Sequence, residues 1–211
     1  MTALLSSDPL TEALPAPDPR AHDILQRARN AFVDKGFDGA SMQDLARAAG
    51  MSVGNFYRYF PSKAAIVQAM CGYDLAEIQG EFAQIQTSDT PMLCLRERIL
   101  THFSEESMKD GQLWAEITAA AIRKPEIGEV ARQMEETIVS LLTAIFAHAT
   151  RRPLEDARAR YEGQCQMLVM LVKAMATRTA QCGPASPALA AQVVGVIDGI
   201  LAHISNDKAE G

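Results

Sequence analysis

Apolar residues recur every three or four positions along almost the whole chain from Arg20 onward, and no stretch alternates apolar and polar residues as a half-buried strand does. Glycine, proline and serine interrupt this pattern at intervals and mark where helices end and begin. The sequence therefore predicts an all-α protein. The predicted helices cover residues 20–36, 42–48, 53–59, 62–86, 91–108, 112–123, 126–150, 155–181 and 187–205.

The first 19 residues contain four prolines and little periodicity, which predicts a disordered leader. The chain has 211 residues, enough for a small domain joined to a larger one. No run approaches the roughly 18 apolar residues of a membrane span. No basic start precedes an apolar stretch, so a secretory signal is not expected and we predict a cytoplasmic protein without a membrane partner.

Four cysteines are scattered without a CxxC pair, which favours reduced thiols over a disulfide framework. The four histidines are equally separated, so the spacing typical of a zinc site is absent from the sequence. The sequence also has no glycine-rich phosphate loop, no HExxH and no G-x-S-x-G motif. We therefore expect neither an enzyme nor a bound metal or cofactor.

Charge is distributed unevenly along the chain. The formal net charge is −6, but residues 20–63 carry seven basic and four acidic side chains and are thus net positive. An acidic protein with a mildly basic N-terminal segment is compatible with DNA binding by that segment alone.

Residues 50–63, GMSVGNFYRYFPSK, concentrate aromatic and basic side chains in one short predicted helix. On a helical wheel the residues predicted to be buried are Val53, Phe56 and Phe60. The residues predicted on the opposite face are Gly54, Asn55 and Arg58. Tyr57 and Tyr59 flank these two faces, where each ring can pack inward and present its hydroxyl outward.

The helix before this one is predicted to begin after Ser41, an N-cap with Asp44 three residues on, and to stop at Gly50. Two short helices joined by a tight glycine-containing turn predict a helix-turn-helix, whose second helix enters the DNA major groove. Arg58 then suits a guanine edge, and Lys63 suits a phosphate. The alternative is that the two helices only pack in an all-α core.

The stretch SMQDLARAAGMSVGNFYRYFPSKAAI, preceded by ILQRARNAFVDKGFDGAS, closely resembles the N-terminal domain of the TetR/AcrR family of bacterial transcriptional regulators. The resemblance implies a three-helix DNA-binding domain over residues 20–66 and a larger helical domain over 67–211 that binds a ligand and dimerises. The DNA contacts it implies are Ser41, Gln43, Ser52, Val53, Gly54, Asn55, Tyr57, Arg58, Tyr59 and Lys63.

Two helices of the larger domain have the composition of a dimer interface. Residues 165–176, CQMLVMLVKAMA, are apolar on nearly every face, so this helix must be covered on both sides. The last helix carries small residues at four-residue spacing, which permit close helix approach. A four-helix dimer interface is predicted, with a monomer core as the alternative. The predicted contacts are Met167, Leu171, Val193, Gly195, Val196, Gly199 and Ile200.

A ligand pocket is predicted among the fourth to eighth helices, lined by large apolar and adaptable methionine side chains with a few polar groups. Glu116 is the most informative of these residues, because a buried carboxylate needs a partner that a ligand can supply. The predicted lining is Tyr73, His102, Phe103, Trp114, Glu116, Ile117, Met134, Ile138, Met167 and Met170.

With the family resemblance, which implies repression and release by a ligand, these patterns predict a homodimeric repressor that binds a palindromic DNA operator and is released by a small, largely hydrophobic inducer. Two alternatives remain open at this point. One is a nucleoid-associated or protein-binding structural member without an inducer, which a body packed solid would favour, whereas a large, mostly apolar closed pocket would favour the regulator. The other is a thiol- or metal-sensing regulator, which requires the fold to bring cysteines together.

Overall fold

A computed structural model describes residues 19–103 and 108–207, and every regular element in that part of the chain is a helix. The proline-rich segment 1–18, predicted as a leader, lies outside the described residues. The helices are α1 (Pro19–Lys35), α2 (Met42–Ala48), α3 (Val53–Tyr59), α4 (Lys63–Gln86), α5 (Pro91–Thr101), α6 (Met108–Arg123), α7 (Pro125–Thr150), α8 (Leu154–Cys182) and α9 (Pro187–Asn206). We call α1–α3 the head and α4–α9 the body.

The all-α prediction is confirmed, and most helix boundaries fall within one residue of the prediction. The exception is the break between the predicted helices 91–108 and 112–123, which the sequence places at Asp110-Gly111. The fifth helix ends at Thr101 rather than at 108, and α6 begins at Met108 and runs through Gly111 without interruption. Residues 104–107 lie outside the described residues.

Gly111 has a reason to be glycine other than ending a helix. A Cβ atom built on it would lie 2.8 Å from the backbone carbonyl oxygen of Ala176 in α8. The glycine therefore lets α6 and α8 approach closely, and periodicity alone cannot distinguish a glycine of this kind from a helix terminator.

Gly111→Ala is accordingly expected to destabilise the protein by about 1–3 kcal/mol, because the clash is with backbone that cannot move aside. The midpoint of urea denaturation measures this. Gly80→Ala in α4 is the matched control, since nothing lies within 4 Å of its built Cβ and alanine is the better helix former. Equal midpoints for the two variants would contradict a close α6–α8 contact.

The head does not have a core of its own. Its buried residues, among them Phe32, Phe37 and Phe56, form one cluster with Ile66, Val67 and Met70 from the start of α4, with Leu113, Ile117 and Ala120 of α6, and with Ile127 of α7. Each large side chain buried in this way contributes about 1.5–3 kcal/mol to folding. The helix α6 is thus part of the hydrophobic core of the head although it belongs to the body.

A second buried cluster unites the rest of the body. It joins the C-terminal half of α4 with α5, α7, α8 and α9, and every residue from 141 to 147 of α7 is buried within it. The predicted domain boundary at residue 66 falls inside α4, whose first turns pack in the first cluster and whose last turns pack in the second.

Candidate nucleic-acid interface

The turn between α2 and α3 is fixed by caps that the sequence predicts. Ser41 and Asp44 form a capping box at the start of α2, with the Asp44 amide donating to Ser41 Oγ at 3.1 Å and the Ser41 amide to Asp44 Oδ2 at 3.0 Å. After α2 the chain reverses at Gly50, whose φ of +68° lies in the left-handed region that favours glycine. Ser52 then caps α3 by accepting from the amide of Asn55.

The helix α3 buries one side and exposes the other. Phe56 is fully buried and Phe60, just beyond the helix, is 6% exposed, as predicted. Gly54, Tyr57, Arg58 and Tyr59 are exposed, and Asn55 is half-buried. A polar and aromatic surface about two turns long therefore faces outward. At Gly54, no atom lies within 4 Å of a Cβ built on the backbone.

The helical wheel is wrong about Val53, which is 38% exposed rather than buried. Val53 is the first residue of α3, and helical side chains tilt toward the N-terminus. The valine side chain therefore projects beyond the tip of the helix and past the core that Phe56 and Phe60 fill. This position is consistent with the DNA contact that the family resemblance implies.

The guanidinium of Arg58 lies on the exposed face of α3. Arg27, Arg29, Lys35 and Arg47 each form an ion pair with a carboxylate. Arg58 has no such pair in the described part of the chain, and its guanidinium carbon lies 5.7 Å from the centre of the Tyr59 ring. An exposed guanidinium steadied by an aromatic ring is well suited to the bidentate recognition of a base edge.

Lys63 has a second role that the sequence does not suggest. Its ammonium donates to the carbonyl oxygens of Phe37 at 2.7 Å and Asp38 at 3.1 Å. Burial lowers the pKa of this lysine. Two of the three ammonium protons thus hold the loop between α1 and α2, and one remains for a phosphate. The phosphate contact itself stays a prediction, as do those of the exposed Ser41 and Gln43.

The residues predicted to line a ligand pocket do not come together in one place. The first buried cluster, here called the head cluster, contains Ile117, and Trp114, Met134 and Tyr73 pack in or against it. The second buried cluster, here called the body cluster, is the one against which Phe103 and Ile138 pack. Met167 and Met170 are 47% and 63% exposed, so neither lines an interior cavity of the protomer. His102 lies with Nε2 2.8 Å from Arg98 Nη1, and the Tyr73 ring lies 5.1 Å from the His22 ring.

Glu116 has a protein partner instead of a ligand. Its Oε2 accepts a hydrogen bond of 2.9 Å from the backbone amide of Phe37, in the loop between α1 and α2. The sequence indicates that this carboxylate needs a partner, but a backbone amide 79 residues away leaves no trace in a sequence pattern.

Two open clefts occur elsewhere on the described surface. One, of about 580 Å³, lies near the C-terminal end of α7 and is lined by Gln86, Ala144, Ala147, His148, Arg151, Arg152 and Leu154. The other, of about 560 Å³, lies between α8 and α9 and is lined by Gly163, Gln164, Met167, Val196, Gly199, Ile200 and His203. Of the predicted pocket residues only Met167 lines either cleft, and it lies at the predicted dimer face.

The buried thiols are poorly suited to sensing. Burial raises the pKa of Cys71 to about 12 and that of Cys165 to about 11, so neither forms a reactive thiolate near neutral pH. Within residues 19–103 and 108–207, no cluster of three histidine, cysteine or acidic side chains is arranged to hold a metal ion.

The predicted dimer contacts share an outward-facing apolar surface, with one exception. Met167, Gly195, Val196 and Gly199 are exposed, and Leu171 and Ile200 are half-buried. Val193 is only 9% exposed and belongs to the body cluster, so it offers little to a partner. In the described residues α9 alone is long and apolar enough to cross a membrane, with a mean hydropathy of 1.6, but Asp198 in this helix forms an ion pair with Arg96 of α5.

Comparison with known proteins places this geometry in a family. Residues 24–70 match the bacterial regulatory proteins of the tetR family. The Bacillus subtilis protein described as uncharacterized HTH-type transcriptional regulator YuxN is 33% identical over 100 residues, which are 43% of this chain and 34% of that protein. The Escherichia coli K12 HTH-type transcriptional regulator UidR is 27% identical over 129 residues, which are 61% of this chain and 65% of that protein. The chain thus matches less than two-thirds of the length of either relative.

Solved structures extend the likeness to the body. Salmonella enterica GusR superposes with a TM-score of 0.68 at 25% identity, covering 90% of this chain and 98% of that one. A TetR transcription regulator from Haloarcula marismortui shares the fold with a TM-score of 0.64 at 17% identity, covering 90% and 98% of the two chains.

A helix-turn-helix head joined to a larger helical body is the architecture of a class of DNA-binding transcriptional regulators. Residues 24–70 thus match the TetR family of bacterial regulatory proteins, and the fold of the whole chain is similar to that of a solved TetR regulator. The relatives of this chain are transcriptional regulators and not enzymes, which agrees with the expectation from the sequence.

Proposed function

We propose that this protein is a transcriptional repressor of the bacterial cytoplasm that binds a palindromic DNA operator as a homodimer and is released by a small, largely hydrophobic inducer. The observation that carries the DNA-binding part is the outward face of α3. There an unpaired guanidinium, two phenols and a bare glycine surround one helix whose other face is fixed by Phe56.

Recognition then follows the geometry of a helix-turn-helix. The helix α3 enters the major groove, with Arg58 and Asn55 directed at base edges and Tyr57, Tyr59 and Lys63 at phosphates. Two heads of a dimer reach successive major grooves, which requires half-sites about 34–36 Å apart or a multiple of this spacing.

The dimer is proposed to form through α8 and α9. In the protomer these helices expose Met167, Met170 and Val196, and nothing lies within 4 Å of a Cβ built on Gly195 or Gly199. Large exposed apolar side chains beside small residues on adjacent helices are suited to close contact with an identical pair. Association of this kind also accounts for an apolar α9 that is little buried in the protomer.

Release by an inducer is proposed because regulation by a ligand is typical of the family. To have an effect, a ligand must bind with different affinity to the dimer whose heads fit DNA and to the dimer whose heads do not. A thermal-shift screen of hydrophobic metabolites, with DNA binding of each hit measured in parallel, tests this part. Compounds that raise the melting temperature and release DNA are expected. A complete absence of such compounds would favour a nucleoid-associated or protein-binding member instead.

Gly54→Leu tests the DNA-binding face directly. The larger side chain finds open space in the protein, so the variant is expected to fold at least as stably as the wild type. In the groove it must collide with DNA, and affinity for fragments selected by the wild type from a randomised pool is expected to fall at least tenfold, about 1.4 kcal/mol or more. Fluorescence anisotropy of labelled DNA measures it.

Gly80→Leu on α4 is the matched control for this experiment, because it is also an exposed helical glycine with nothing within 4 Å of its built Cβ. It is expected to leave DNA affinity unchanged. A Gly54→Leu variant that binds the selected DNA as tightly as the control would remove α3 from the interface.

A further inference from the structure

Besides its contacts with Lys63 of α4, the loop between α1 and α2 is held at two points by α6 and the residue that follows it. At the first, Glu116 of α6 accepts the hydrogen bond of 2.9 Å from the Phe37 amide. At the second, the Asp38 carboxylate accepts from Arg123 Nη2 at 2.8 Å and pairs with Lys124 Nζ at 3.1 Å. Phe37 and Asp38 of this loop are therefore attached to α6 or to the residue that follows it.

The two points differ in solvent exposure. Asp38, Arg123 and Lys124 are substantially exposed, and the hydrogen bond from Arg123, followed by that from Lys124, lowers the pKa of Asp38. Exposed ion pairs of this kind contribute little because water screens them. The Glu116 contact is half-buried beside the Phe37 ring, which is 1% exposed and stacks on Phe32 at 5.2 Å. Of the two, the Glu116 contact is the stronger constraint on the loop.

Gly36 makes room for the Glu116 carboxylate. Its φ of +73° lies in the left-handed region, and a Cβ built on it would lie 3.2 Å from Glu116 Oε2. The backbone at the end of α1 is thus shaped both to end the helix and to let the carboxylate reach the next amide.

The same loop connects directly to the predicted DNA contacts. It ends at Ser41, the N-cap of α2, and its carbonyl oxygens at Phe37 and Asp38 accept from Lys63 at the start of α4. A displacement of the Phe37–Asp38 peptide would therefore move the residues on both sides of α3. Glu116 itself is on α6, far along the sequence from any predicted DNA contact.

At its other end α6 is in close contact with α8. Gly111 lies against the Ala176 carbonyl so closely that a Cβ would be 2.8 Å from it. One helix thus joins α8, which carries part of the proposed dimer surface, to the loop that supports the helix-turn-helix. A packed helix transmits a shift at one end to the other, because the interior does not deform continuously.

We propose that Glu116 is a positioning residue for DNA binding: its hydrogen bond to the Phe37 amide fixes the orientation of the head on the body, and hence the spacing of the two recognition helices in the dimer. The inference rests on the proposed function. When the bond is absent, the Phe37–Asp38 loop and the helices that it supports sample other positions within the limits that the shared core allows. The apparent affinity then falls in proportion to the fraction of molecules that remain competent to bind DNA.

Three substitutions separate this role from a general effect of charge or stability. Glu116→Gln removes the charge but keeps an oxygen that accepts from the amide, so affinity near that of the wild type is expected. Glu116→Asp keeps the charge but is one methylene too short to reach, and a partial loss is expected. Glu116→Ala removes the acceptor, and a loss of about ten- to a hundredfold is expected, the range for a hydrogen bond to a charged group.

Comparing the affinity for DNA with one half-site and with two half-sites distinguishes this role from a merely structural one. On selected DNA with two half-sites, Glu116→Ala is expected to lose affinity as stated, whereas on DNA with one half-site the loss should be several-fold smaller, since spacing no longer matters. The slope of log affinity against log salt concentration should equal that of the wild type, because no phosphate contact is removed. Trp114, the only tryptophan and two residues from Glu116, should change its emission in the alanine variant.

Each outcome decides the proposal. The proposal is overturned if a folded Glu116→Ala variant binds DNA with two half-sites as tightly as the wild type does. It is also overturned if this variant loses affinity equally for DNA with one and with two half-sites, or if Glu116→Gln loses as much affinity as Glu116→Ala. If the alanine variant does not fold, the order of affinities Gln above Asp supports the proposal, and Asp equal to or above Gln overturns it. Failure of the wild type to select any DNA would instead refute the proposed function.

Discussion

Gly199→Leu is expected to convert the protein from a dimer to a monomer and to lower operator affinity by about two to four orders of magnitude, because the second half-site is no longer held at a high effective concentration. Within the protomer, no atom lies within 4 Å of a Cβ built on Gly199, so the substitution is not expected to destabilise the protomer. In a dimer the leucine side chain would stand between two helices that must approach closely. Sedimentation velocity and DNA titration measure the two effects.

Gly195→Leu should behave in the same way, since Gly195 is one helical turn earlier and is equally open in the protomer. Gly80→Leu on α4 is again the control and should remain dimeric. Two glycine variants that sediment as unperturbed dimers would place the interface on another surface of the body.

Arg58→Ala is expected to relax base discrimination at one position of each half-site and to weaken specific binding by about 1–3 kcal/mol per half-site. The physical reason is that a guanidinium without a carboxylate partner can give two of its N–H donors to a guanine edge. Selection from randomised DNA with the variant, followed by sequencing, shows the position at which preference disappears.

Lys63→Ala provides the comparison. It should weaken binding to all sequences alike and lower the salt slope by about one unit, because one ammonium no longer neutralises a phosphate. It should also destabilise the head, because the ammonium holds the loop carbonyls of Phe37 and Asp38. If the lysine variant changed base preference and the arginine variant did not, the two assigned roles would be reversed.

Local chemistry is what the sequence reveals best. Ser41, Ser52 and Ser62 each accept from an amide three residues on, and these caps place the starts of α2, α3 and α4 where the sequence predicts them. The helical periodicity of three to four residues correctly predicts that Phe56 and Phe60 are buried. It is wrong at Val53, the first residue of α3, whose side chain lies beyond the core. Caps and periodicity depend on neighbours within a few residues, so one sequence is sufficient to find them.

Contacts between distant segments are what the sequence does not reveal. Glu116 and Trp114 have the polar and aromatic character of pocket residues, yet α6 uses them to support the head. Gly111 resembles a helix end in the sequence because the carbonyl of Ala176 against it comes from another helix. The composition of α8 predicts that it is covered on both sides, but it does not predict which methionines face the protomer and which face away.

The shared core of the head and α6 limits how this protein can be recombined with its relatives. A graft that moved only residues 19–66 onto a foreign body would leave Leu113, Ile117 and Ala120 behind and would expose the aromatic side chains that they cover. It would also leave the Phe37 amide facing whatever residue the new body carries at the position of Glu116. The transferable unit is therefore discontinuous in sequence: it comprises about the first 70 residues together with α6 and the first turn of α7. A biosensor chimera must accordingly keep α6 together with the DNA-binding head of the same protein.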